Sequence, residues 1–347
     1  MRPIAVLGPL FTHLLLALVL FLPTFGGGAL AQQEKETQAQ RQQAQPYNNA
    51  PVWREVRSGK EEYTSVKGRE TGILVQTFGE TWRQLKNGWI TPIAGWLVFA
   101  FACGIALIHR WRGPIKVHEK PTGRLIQRFT PLDRLAHWTV AISFCILGVS
   151  GLIMMVGKYV LLPVIGYTLF AWLTQLSKHL HDFVGPVFIA GIVLLIVLFA
   201  RHALPRAGDV TWLMKAGGAL TGERVPCGML NAGQKMWFWG GVVVLSVIAA
   251  TSGLVMDFPN FDQVRATMIL ANIVHTSVTG ILMALSLFHI YMGSKIGVEG
   301  AYEGMRYGYV DEAWAKEHHE YWYHDVKTGK IKTGTALGAP VAPQVQH

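Results

Sequence analysis

Four histidines, His137, His181, His275 and His289, lie inside or at the edge of long apolar segments of the chain. Ionisable side chains are costly in a bilayer, so those found in membrane segments are candidates for function. An imidazole nitrogen is a common ligand of iron and of other transition metals. These residues are therefore candidate metal ligands, and their spacing indicates how they would pair.

His275 and His289 share one apolar segment and are 14 residues apart. On an α-helix this spacing gives a rise of about 21 Å and brings both side chains within about 40° of the same face. Because chain direction alternates between successive spans, His181 should lie at the depth of His275, and His137 at the depth of His289. Two imidazole pairs stacked about 20 Å apart suit two bis-histidine haems, one in each leaflet of the membrane.

Small residues near the histidines predict the space that a porphyrin requires. Gly185 and Gly293 each follow a candidate ligand by four positions. Gly148 and Gly151 are nearly in phase with His137 on the same predicted helix. We expect these glycines to line the haem sites.

Other interpretations of single residues remain open. His179 competes with His181, but the two side chains would lie on different sides of a helix. A single histidine in a membrane helix usually packs or forms a hydrogen bond without a cofactor, so the agreement in depth of two pairs is what favours haem. Arg134, three residues before His137, is placed to pair with a haem propionate.

The segment 231–235, Asn-Ala-Gly-Gln-Lys, directly precedes an apolar segment at the predicted depth of the His137–His289 pair. In one interpretation, Asn231 caps the following helix and Lys235 anchors it at the membrane surface. In the other, Asn231 and Gly233 belong to a binding site for a quinone head group, which needs hydrogen-bond donors and a route for protons. Composition alone favours neither interpretation.

The elements that must position these side chains are membrane helices. Of 347 residues, 51% are hydrophobic and 15% are charged, against about 45–50% and about 25% in an ordinary soluble domain. The predicted fold class is all-α integral membrane, a four-helix diheme bundle plus one extra N-terminal transmembrane helix. A bilayer core takes about 20 apolar residues, and the charge-free segments that fit are 89–108, 135–157, 183–200, 236–256 and 266–294.

Charge predicts the orientation of these helices. The loops predicted to lie inside hold twelve Lys and Arg residues and those predicted outside hold three, as the positive-inside rule requires. The net charge of +10 then reflects topology and contact with anionic lipid, and nucleic-acid binding is disfavoured.

Three cysteines indicate neither a disulfide framework nor a thiolate metal site.

The N-terminal residues 1–31 are typical of a secretory signal peptide, with an uncleaved anchor as the alternative. The predicted domains are the signal peptide (1–31), a periplasmic N-terminal segment (32–88), the extra transmembrane helix (89–109), a cytoplasmic basic loop (110–134), the four-helix haem-binding bundle (135–294) and a cytoplasmic C-terminal tail (295–347).

The tail contains His318 and His319 in the sequence Lys-Glu-His-His-Glu, with His324 nearby. Such a cluster resembles a metal site, but no second ligand motif accompanies it. The charged surroundings favour a solvated surface, and we expect these histidines to be exposed.

Several motifs between residues 124 and 323 are specific enough to compare with known families. They are Arg-Phe-Thr-Pro-Leu-Asp-Arg-Leu-Ala-His-Trp-Thr (128–139), His-Asp-Phe-Val-Gly (181–185), Asn-Ala-Gly-Gln-Lys-Met-Trp-Phe-Trp (231–239), His275 followed by Gly280, Phe-His-Ile-Tyr-Met (288–292) and Trp-Ala-Lys-Glu-His-His-Glu-Tyr-Trp-Tyr (314–323). Together they resemble the cytochrome b (gamma) subunit of membrane-bound formate dehydrogenase. The histidines alone would also admit hydrogenase cytochromes b or the subunit of another molybdoenzyme.

The resemblance implies an electron-transfer and quinone-reducing subunit of an oxidoreductase complex in the bacterial inner membrane, which would not oxidise formate alone. Its partners would be an iron–sulfur (beta) subunit, a formate-oxidising (alpha) subunit with a molybdopterin or tungstopterin cofactor, the quinone pool and membrane lipid. Protons would come from the cytoplasm. By position, the implied site residues are His137 and His289 for the inner haem b, His181 and His275 for the outer haem b, and Asn231 and Gly233 for quinone.

Two points limit the resemblance. The N-terminal region through the helix 89–109 has no counterpart in the four-helix form of the family. A transporter that uses the histidines as a proton relay is the alternative from another class, but transport sites usually lie near the membrane midplane, whereas these histidines are predicted nearer the two surfaces.

Overall fold

The computed structural model describes residues 77–218, 225–261 and 263–332, the residues Trp53, Arg57 and Ser58, and the backbone of 335–336. The predicted signal peptide (1–31) and most of the predicted periplasmic segment (32–88) lie outside the described residues. Within the described part of the chain, five helices are long and apolar enough to cross a membrane. The predicted class, an integral membrane protein built from helices, is confirmed.

The first four membrane helices are longer than the charge-free segments that predicted them, and the fifth has nearly the predicted bounds. The first span consists of α1 (Thr77–Gln84), a π-helical segment (Leu85–Ile90) and α2 (Thr91–Arg112). The second and third spans are α3 (Pro131–Val160) and α4 (Leu162–Phe199), and a short helix, α5 (Asp209–Met214), follows them. The fourth span consists of α6 (Ala232–Met236), a π-helical segment (Trp237–Leu245) and α7 (Ser246–Asp257), and the fifth span is α8 (Arg265–Met292).

The start of α3 is set by a capping box. Thr130 Oγ1 accepts a hydrogen bond from the backbone N–H of Asp133 (3.2 Å), and the Asp133 carboxylate accepts one from the backbone N–H of Thr130 (2.8 Å). Pro131 occupies the first helical position, where its missing N–H costs nothing. The box therefore fixes where the helix begins, about two turns before His137.

α3 and α4 form an antiparallel hairpin and pack along their length. Glycine permits this close approach: a Cβ at Gly191 would lie 2.9 Å from the Val140 side chain. α4 contains a break at Gly166, whose φ is 75°. It begins well before the apolar segment 183–200. Lys178 and Asp182, which interrupt the hydrophobic pattern, form an ion pair one turn apart on its surface (2.6 Å).

The extra N-terminal helix packs against α8, which carries two of the candidate histidines. At the point of closest approach, a Cβ at Gly280 would lie 2.7 Å from the Cβ of Ala94. Small residues of this kind let two membrane helices come close together. Near one end of the contact, Trp82 Nε1 donates to Asn272 Oδ1 (3.2 Å). α8 is therefore supported on one side by the extra N-terminal helix, whose packing partner the sequence did not predict.

The expected basic loop and tail fold together as one unit, which we call the C-terminal module (113–128, 293–332 and the strand at 335–336). Three short antiparallel strands, in the order β2-β1-β3, join the two segments. The strands β1 (Leu125–Gln127), β2 (Tyr309–Asp311) and β3 (Thr335–Ala336) are accompanied by the helices α9 (Ala301–Tyr307), α10 (Glu312–His318) and α11 (Glu320–Lys327). Strands of two or three residues are too short to show an alternating pattern, so the sequence did not predict them.

A buried carboxylate joins the parts of this module. Glu312 accepts hydrogen bonds from Arg124, Lys327 and Tyr323. Burial alone raises the pKa of Glu312, but hydrogen bonds from Lys327, Tyr323 and Arg124 outweigh it and lower the pKa to about 2. The module therefore contains an ionised carboxylate that contacts β1 and α11 from the start of α10.

Ala94→Leu is expected to destabilise the bundle, because the larger side chain would meet α8 at Gly280. Overpacking of this kind costs about 1–3 kcal/mol. Gly104→Leu on the same helix is the matched control, since no atom lies within 4 Å of a Cβ placed there. The thermal unfolding midpoint of the purified chain in detergent should fall for Ala94→Leu alone. Equal midpoints for the two variants would contradict the packing of α2 on α8.

Candidate haem and quinone sites

The structure brings the four candidate histidines together in two pairs. The ring centroids of His137 and His289 are 6.2 Å apart, with an angle of 52° between the ring planes. Those of His181 and His275 are 6.0 Å apart, with an angle of 75°. One member of each pair comes from α8, and the others come from α3 and α4. The pairing is the one that the depth argument predicts.

The separation of the rings suits a metal ion held between them. An imidazole nitrogen lies roughly 2 Å from a bound metal ion and its ring centre lies roughly 1 Å farther away, so two rings on opposite sides of one ion have centres about 6 Å apart. Both pairs have this spacing. The residues therefore fit the axial ligand sets of two haem irons.

In the His181–His275 pair, the ring nitrogens that would face away from a metal have polar partners. His181 Nδ1 lies 2.9 Å from Ser150 Oγ. His275 Nδ1 lies 2.9 Å from the carbonyl oxygen of Ala249 and 3.3 Å from Ser252 Oγ. A carbonyl can only accept, so Nδ1 of His275 carries the proton and Nε2 is left to bind a metal. Sequence reasoning missed Ser150, Ala249 and Ser252, because only packing brings them to the histidines.

Two glycines lie against the rings of this pair. A Cβ at Gly151 would lie 3.5 Å from Cε1 of His181, and one at Gly253 would lie 3.3 Å from Cε1 of His275. Larger residues at these positions would displace the ligands. Gly148 and Gly151 lie three to four turns beyond His137 on α3: Gly151 meets the ring of His181 in the other pair, and Gly148 faces Met283. Gly185 and Gly293 face neither ring: Gly185 has open space around it, and Gly293 lies against the backbone carbonyl of His289.

The competing ligand His179 lies elsewhere. Its side chain lines an open groove on the surface of α4, together with Tyr167, Thr174 and Gln175. The ring that meets His275 belongs to His181.

In the His137–His289 pair, polar atoms on α3 have no partner within the described structure. His137 Nδ1 and Arg134 Nε are both buried without a hydrogen bond. Arg134 Nη1 donates to the carbonyl oxygen of Tyr307 (3.1 Å), which ties α3 to the C-terminal module. Buried polar atoms without partners are rare in proteins. The two atoms lie one turn apart on α3, as expected if His137 binds a haem whose propionate lies near Arg134.

His289 is contacted by an aromatic ring. The indole of Trp237 stacks on its imidazole, with centroids 5.1 Å apart and an angle of 17° between the planes. Trp237 is the first residue of the π-helical segment of the fourth span. Trp237 belongs to the motif 231–239, but the sequence alone does not predict its contact with His289.

The π-helical segment lets one face of the fourth span reach both histidines of α8. An α-helix turns about 100° per residue, which would place Trp237 and Gly253 about 160° apart on the helix. A π-helix turns by roughly 80° per residue, and the nine residues of this segment remove most of that difference. Trp237 therefore meets His289 and Gly253 meets His275 from the same side.

Asn231 caps the fourth span. Its Oδ1 accepts a hydrogen bond from the backbone N–H of Gln234 (2.9 Å), and Gln234 Oε1 accepts one from the backbone N–H of Asn231 (3.0 Å). Asn231 therefore caps the helix, as one of the two interpretations of this loop predicts. Lys235, expected as a surface anchor, is instead buried and pairs with both carboxylate oxygens of Asp209 on α5 (2.8 and 3.0 Å).

Gly233 lies beneath an indole ring. A Cβ at Gly233 would lie 3.1 Å from Cη2 of Trp212 on α5. The ion pair between Asp209 and Lys235 fixes α5 in this position. Trp212 and Asp209 thus join Asn231 and Gly233 around one loop, although neither was a candidate from sequence.

His319 is buried, with 2% of its surface exposed, so the expectation that the histidines of the tail are exposed was wrong for this residue, whereas His324 is exposed. Its Nε2 accepts a hydrogen bond from Arg128 Nη2 (2.8 Å) and its Nδ1 donates to the carbonyl oxygen of Gly228 (2.7 Å). Arg128 also donates to the carbonyl oxygen of Met229 (3.0 Å). This Arg128–His319 contact, which we call the latch, holds the segment that leads into Asn231.

The neighbours of the latch are also shielded from water. His318 stacks on Trp314, with ring centroids 4.9 Å apart. The thiol of Cys227 donates to the carbonyl oxygen of His318 (2.9 Å), and burial raises its pKa to about 12. Trp314 and Trp322, which are close to His319 in the chain, lie against its ring, whereas Arg128, Cys227 and Gly228 reach it from distant parts of the chain. Among the residues described, no group of three or more His, Cys, Asp or Glu side chains is arranged to hold a metal ion.

Comparison with known proteins gives the family of the chain. The model of the family described as prokaryotic cytochrome b561 matches residues 128–298. The cytochrome b556(Fdn) subunit of the nitrate-inducible formate dehydrogenase of Escherichia coli K12 is 30% identical over 226 residues, which cover 62% of this chain and 98% of that protein. The formate dehydrogenase cytochrome b556(fdo) subunit of the same strain is 31% identical over 205 residues, 58% of this chain and 93% of that protein.

A relative from Haemophilus influenzae, named as a formate dehydrogenase cytochrome b556 subunit, is 28% identical over 228 residues, 62% of this chain and 90% of that protein. The family match covers all four histidines of the two pairs, together with Asn231 and Gly233, and it starts at Arg128 of the latch. The extra helix α1–α2 lies outside it.

The latch predicts a specific dependence of stability on pH. Burial, and next the positive charge of Arg128, lower the pKa of His319 well below its ordinary value. The unfolded chain therefore gains a proton near pH 6.5 that the folded chain does not, and the folded state loses stability as pH falls through about 6.5. His319→Gln removes this contribution, so its unfolding midpoint should fall less between about pH 8 and about pH 5. His324→Gln, at an exposed position of the same module, should keep the wild-type dependence, and an unchanged dependence in His319→Gln would contradict the latch.

Proposed function

Since this chain belongs to the family of formate dehydrogenase cytochrome b subunits, we propose that it binds two b haems and conducts electrons from an iron–sulfur subunit to quinone. The observation that carries the proposal is the pair of facing histidines at each of two depths, with ring centroids 6.2 and 6.0 Å apart. A bound haem supplies reversible one-electron chemistry. The protein supplies the axial ligands, their orientation and an apolar path between the two sites.

The spacing of the two sites is set by α8. His275 and His289 lie on this one continuous helix, about 21 Å apart along its axis. Two buried serines between the sites, Ser143 and Ser286, donate their hydroxyls to carbonyl groups of their own helices. Their polar groups are therefore satisfied within the helices.

We place the C-terminal module on the cytoplasmic side and the N-terminus of the described chain on the periplasmic side. The basic residues support this orientation, because the segments 109–134 and 201–235, at the module end, carry most of the Lys and Arg of the loops. The His181–His275 pair then lies toward the periplasm. Electrons would enter there, from an iron–sulfur subunit docked beside the formate-oxidising subunit.

Quinone is proposed to bind at the loop of Asn231 and Gly233, near the His137–His289 pair. Trp212 covers this loop and offers a flat ring, and Asn231 offers an amide. The ion pair of the buried Lys235 with the partly buried Asp209 lies beside this loop. With the module end on the cytoplasmic side, protons for quinone reduction would come from the cytoplasm.

Haem content tests the first part of the proposal. The purified chain should contain two b haems, both low-spin because each iron has two imidazole ligands. His275→Ala should remove one haem and His137→Ala the other, measured as the ratio of haem to protein with an optical spectrum. His179→Ala is the matched control and should retain both. A colourless chain, or two haems in a double variant of His137 and His275, would contradict the proposal.

The quinone site requires variants that separate binding from capping. Asn231→Leu removes both functions, Asn231→Ser keeps a capping oxygen, and Gln234→Ala weakens the cap without touching Asn231. If Asn231 binds quinone, both Asn231 variants should raise KM for quinone by roughly two- to tenfold, the value of one hydrogen bond, while Gln234→Ala should not.

The assay is quinone reduction by formate in the assembled complex, with reduction of the haems by formate as the control. Haem reduction should be the same in all three variants, because electrons arrive before quinone is needed. If Asn231→Ser matches wild type while Gln234→Ala is impaired, Asn231 acts only as a cap and the quinone site lies elsewhere.

A further inference from the structure

The two histidines of α8 are oriented by different means. His275 is held by a hydrogen bond to the carbonyl of Ala249, at 2.9 Å. His289 instead has the indole of Trp237 stacked on its ring, nearly parallel at 17°. A hydrogen bond to one ring nitrogen orients an imidazole by fixing the direction of that nitrogen. A stacked aromatic ring instead fixes the plane of the imidazole, because it contacts the whole face of the ring.

Trp237 has little freedom to turn away from His289. A Cβ at Gly241 would overlap the six-membered ring of the indole, so the indole lies directly against the backbone of Gly241. On its other side it contacts the imidazole of His289. The indole therefore fills the space between the fourth span and α8, and any side chain at position 241 would push it toward the histidine.

The π-helical segment is what directs Trp237 to this position. With α-helical geometry, a helix face that reaches His275 through Ala249 and Gly253 would turn Trp237 away from α8. In the π-helical segment the backbone hydrogen bonds join residues i and i+5, so each residue turns by a smaller angle. Trp237 is thereby brought to the same side of the span as Ala249 and Gly253. π-Helical segments are rare and are found frequently at functional sites, and this one begins at Trp237.

We propose that Trp237 is a positioning residue that sets the ring plane of His289 and so the orientation of one axial ligand at the haem nearer the C-terminal module. The inference rests on the proposed two-haem function. Trp237 acts through His289 and takes no part in electron transfer itself. It also connects this ligand to the quinone loop, because only the short helix α6 separates Trp237 from the cap at Asn231.

The test uses the electron paramagnetic resonance spectrum of the oxidised, full-length chain. The g values of a low-spin haem with two imidazole ligands depend on the angle between the ring planes, which is 52° in the His137–His289 pair and 75° in the other. Trp237→Leu should shift the signal of the first haem and leave that of the second unchanged. Trp237→Phe keeps a flat ring and should stay close to wild type.

Trp239→Leu is the matched control, because it is the same substitution in the same π-helical segment at a residue that bonds to Ala203 rather than to a histidine. Its spectrum should equal that of wild type. Loss of one haem from Trp237→Leu with retention in Trp237→Phe would also support the proposal, because a flat ring would then restore the site. An unchanged spectrum in Trp237→Leu, or loss of the haem from both Trp237 variants, would overturn it.

The haem count of the wild-type chain separates this inference from the function on which it depends. Two haems in wild type with no spectral shift in Trp237→Leu would contradict the role of Trp237 alone. Fewer than two haems in wild type would contradict the proposed function, and this inference with it.

Discussion

Both histidine pairs depend on the straightness of α8. A helix without a kink keeps His275 and His289 on nearly one face and about 21 Å apart, and neither pair could form if α8 bent between them. The described structure supports α8 on two sides. α2 packs against it through the contact of Ala94 with Gly280, and the fourth span packs along another face.

The fourth span shows how a helix without any ligand can control two sites. Its carbonyl at Ala249 and hydroxyl at Ser252 orient one imidazole, and Trp237 contacts the other. A regular α-helix could serve only one of the two, because residues so far apart would point in different directions. The π-helical segment removes this conflict by changing the register in the middle of the span.

The C-terminal module connects the membrane bundle to the loop before the fourth span. Arg128 has two aromatic rings against its guanidinium, from Phe129 and Trp314, and reaches both His319 and the carbonyl of Met229. Cationic side chains are tolerated in such places when carbonyl groups and aromatic faces replace water. The start of α3, the segment before Asn231 and the tail are thereby held together.

The amino-acid sequence alone was sufficient for the number of spans, the helical class, the family and the pairing of the four histidines. Each of these depends on local pattern: about 20 apolar residues cross a bilayer, and the period of the helix relates residues 14 positions apart. The role of Asn231 as a cap was also among the alternatives, since a cap and the residue it bonds are three positions apart.

Only the tertiary structure decided how the rings are held and what lies against them. Ser150, Trp237 and Trp212 meet their targets across helices, and nothing in the local sequence relates them to the residues they contact. The burial of His319 was missed for the same reason, because its polar partners Arg128 and Gly228 come from distant parts of the chain. A helix period predicts which residues share a face, but which face meets which neighbour is determined by the packing of whole helices, and in the fourth span by a change of helical register that no short pattern of residues reveals.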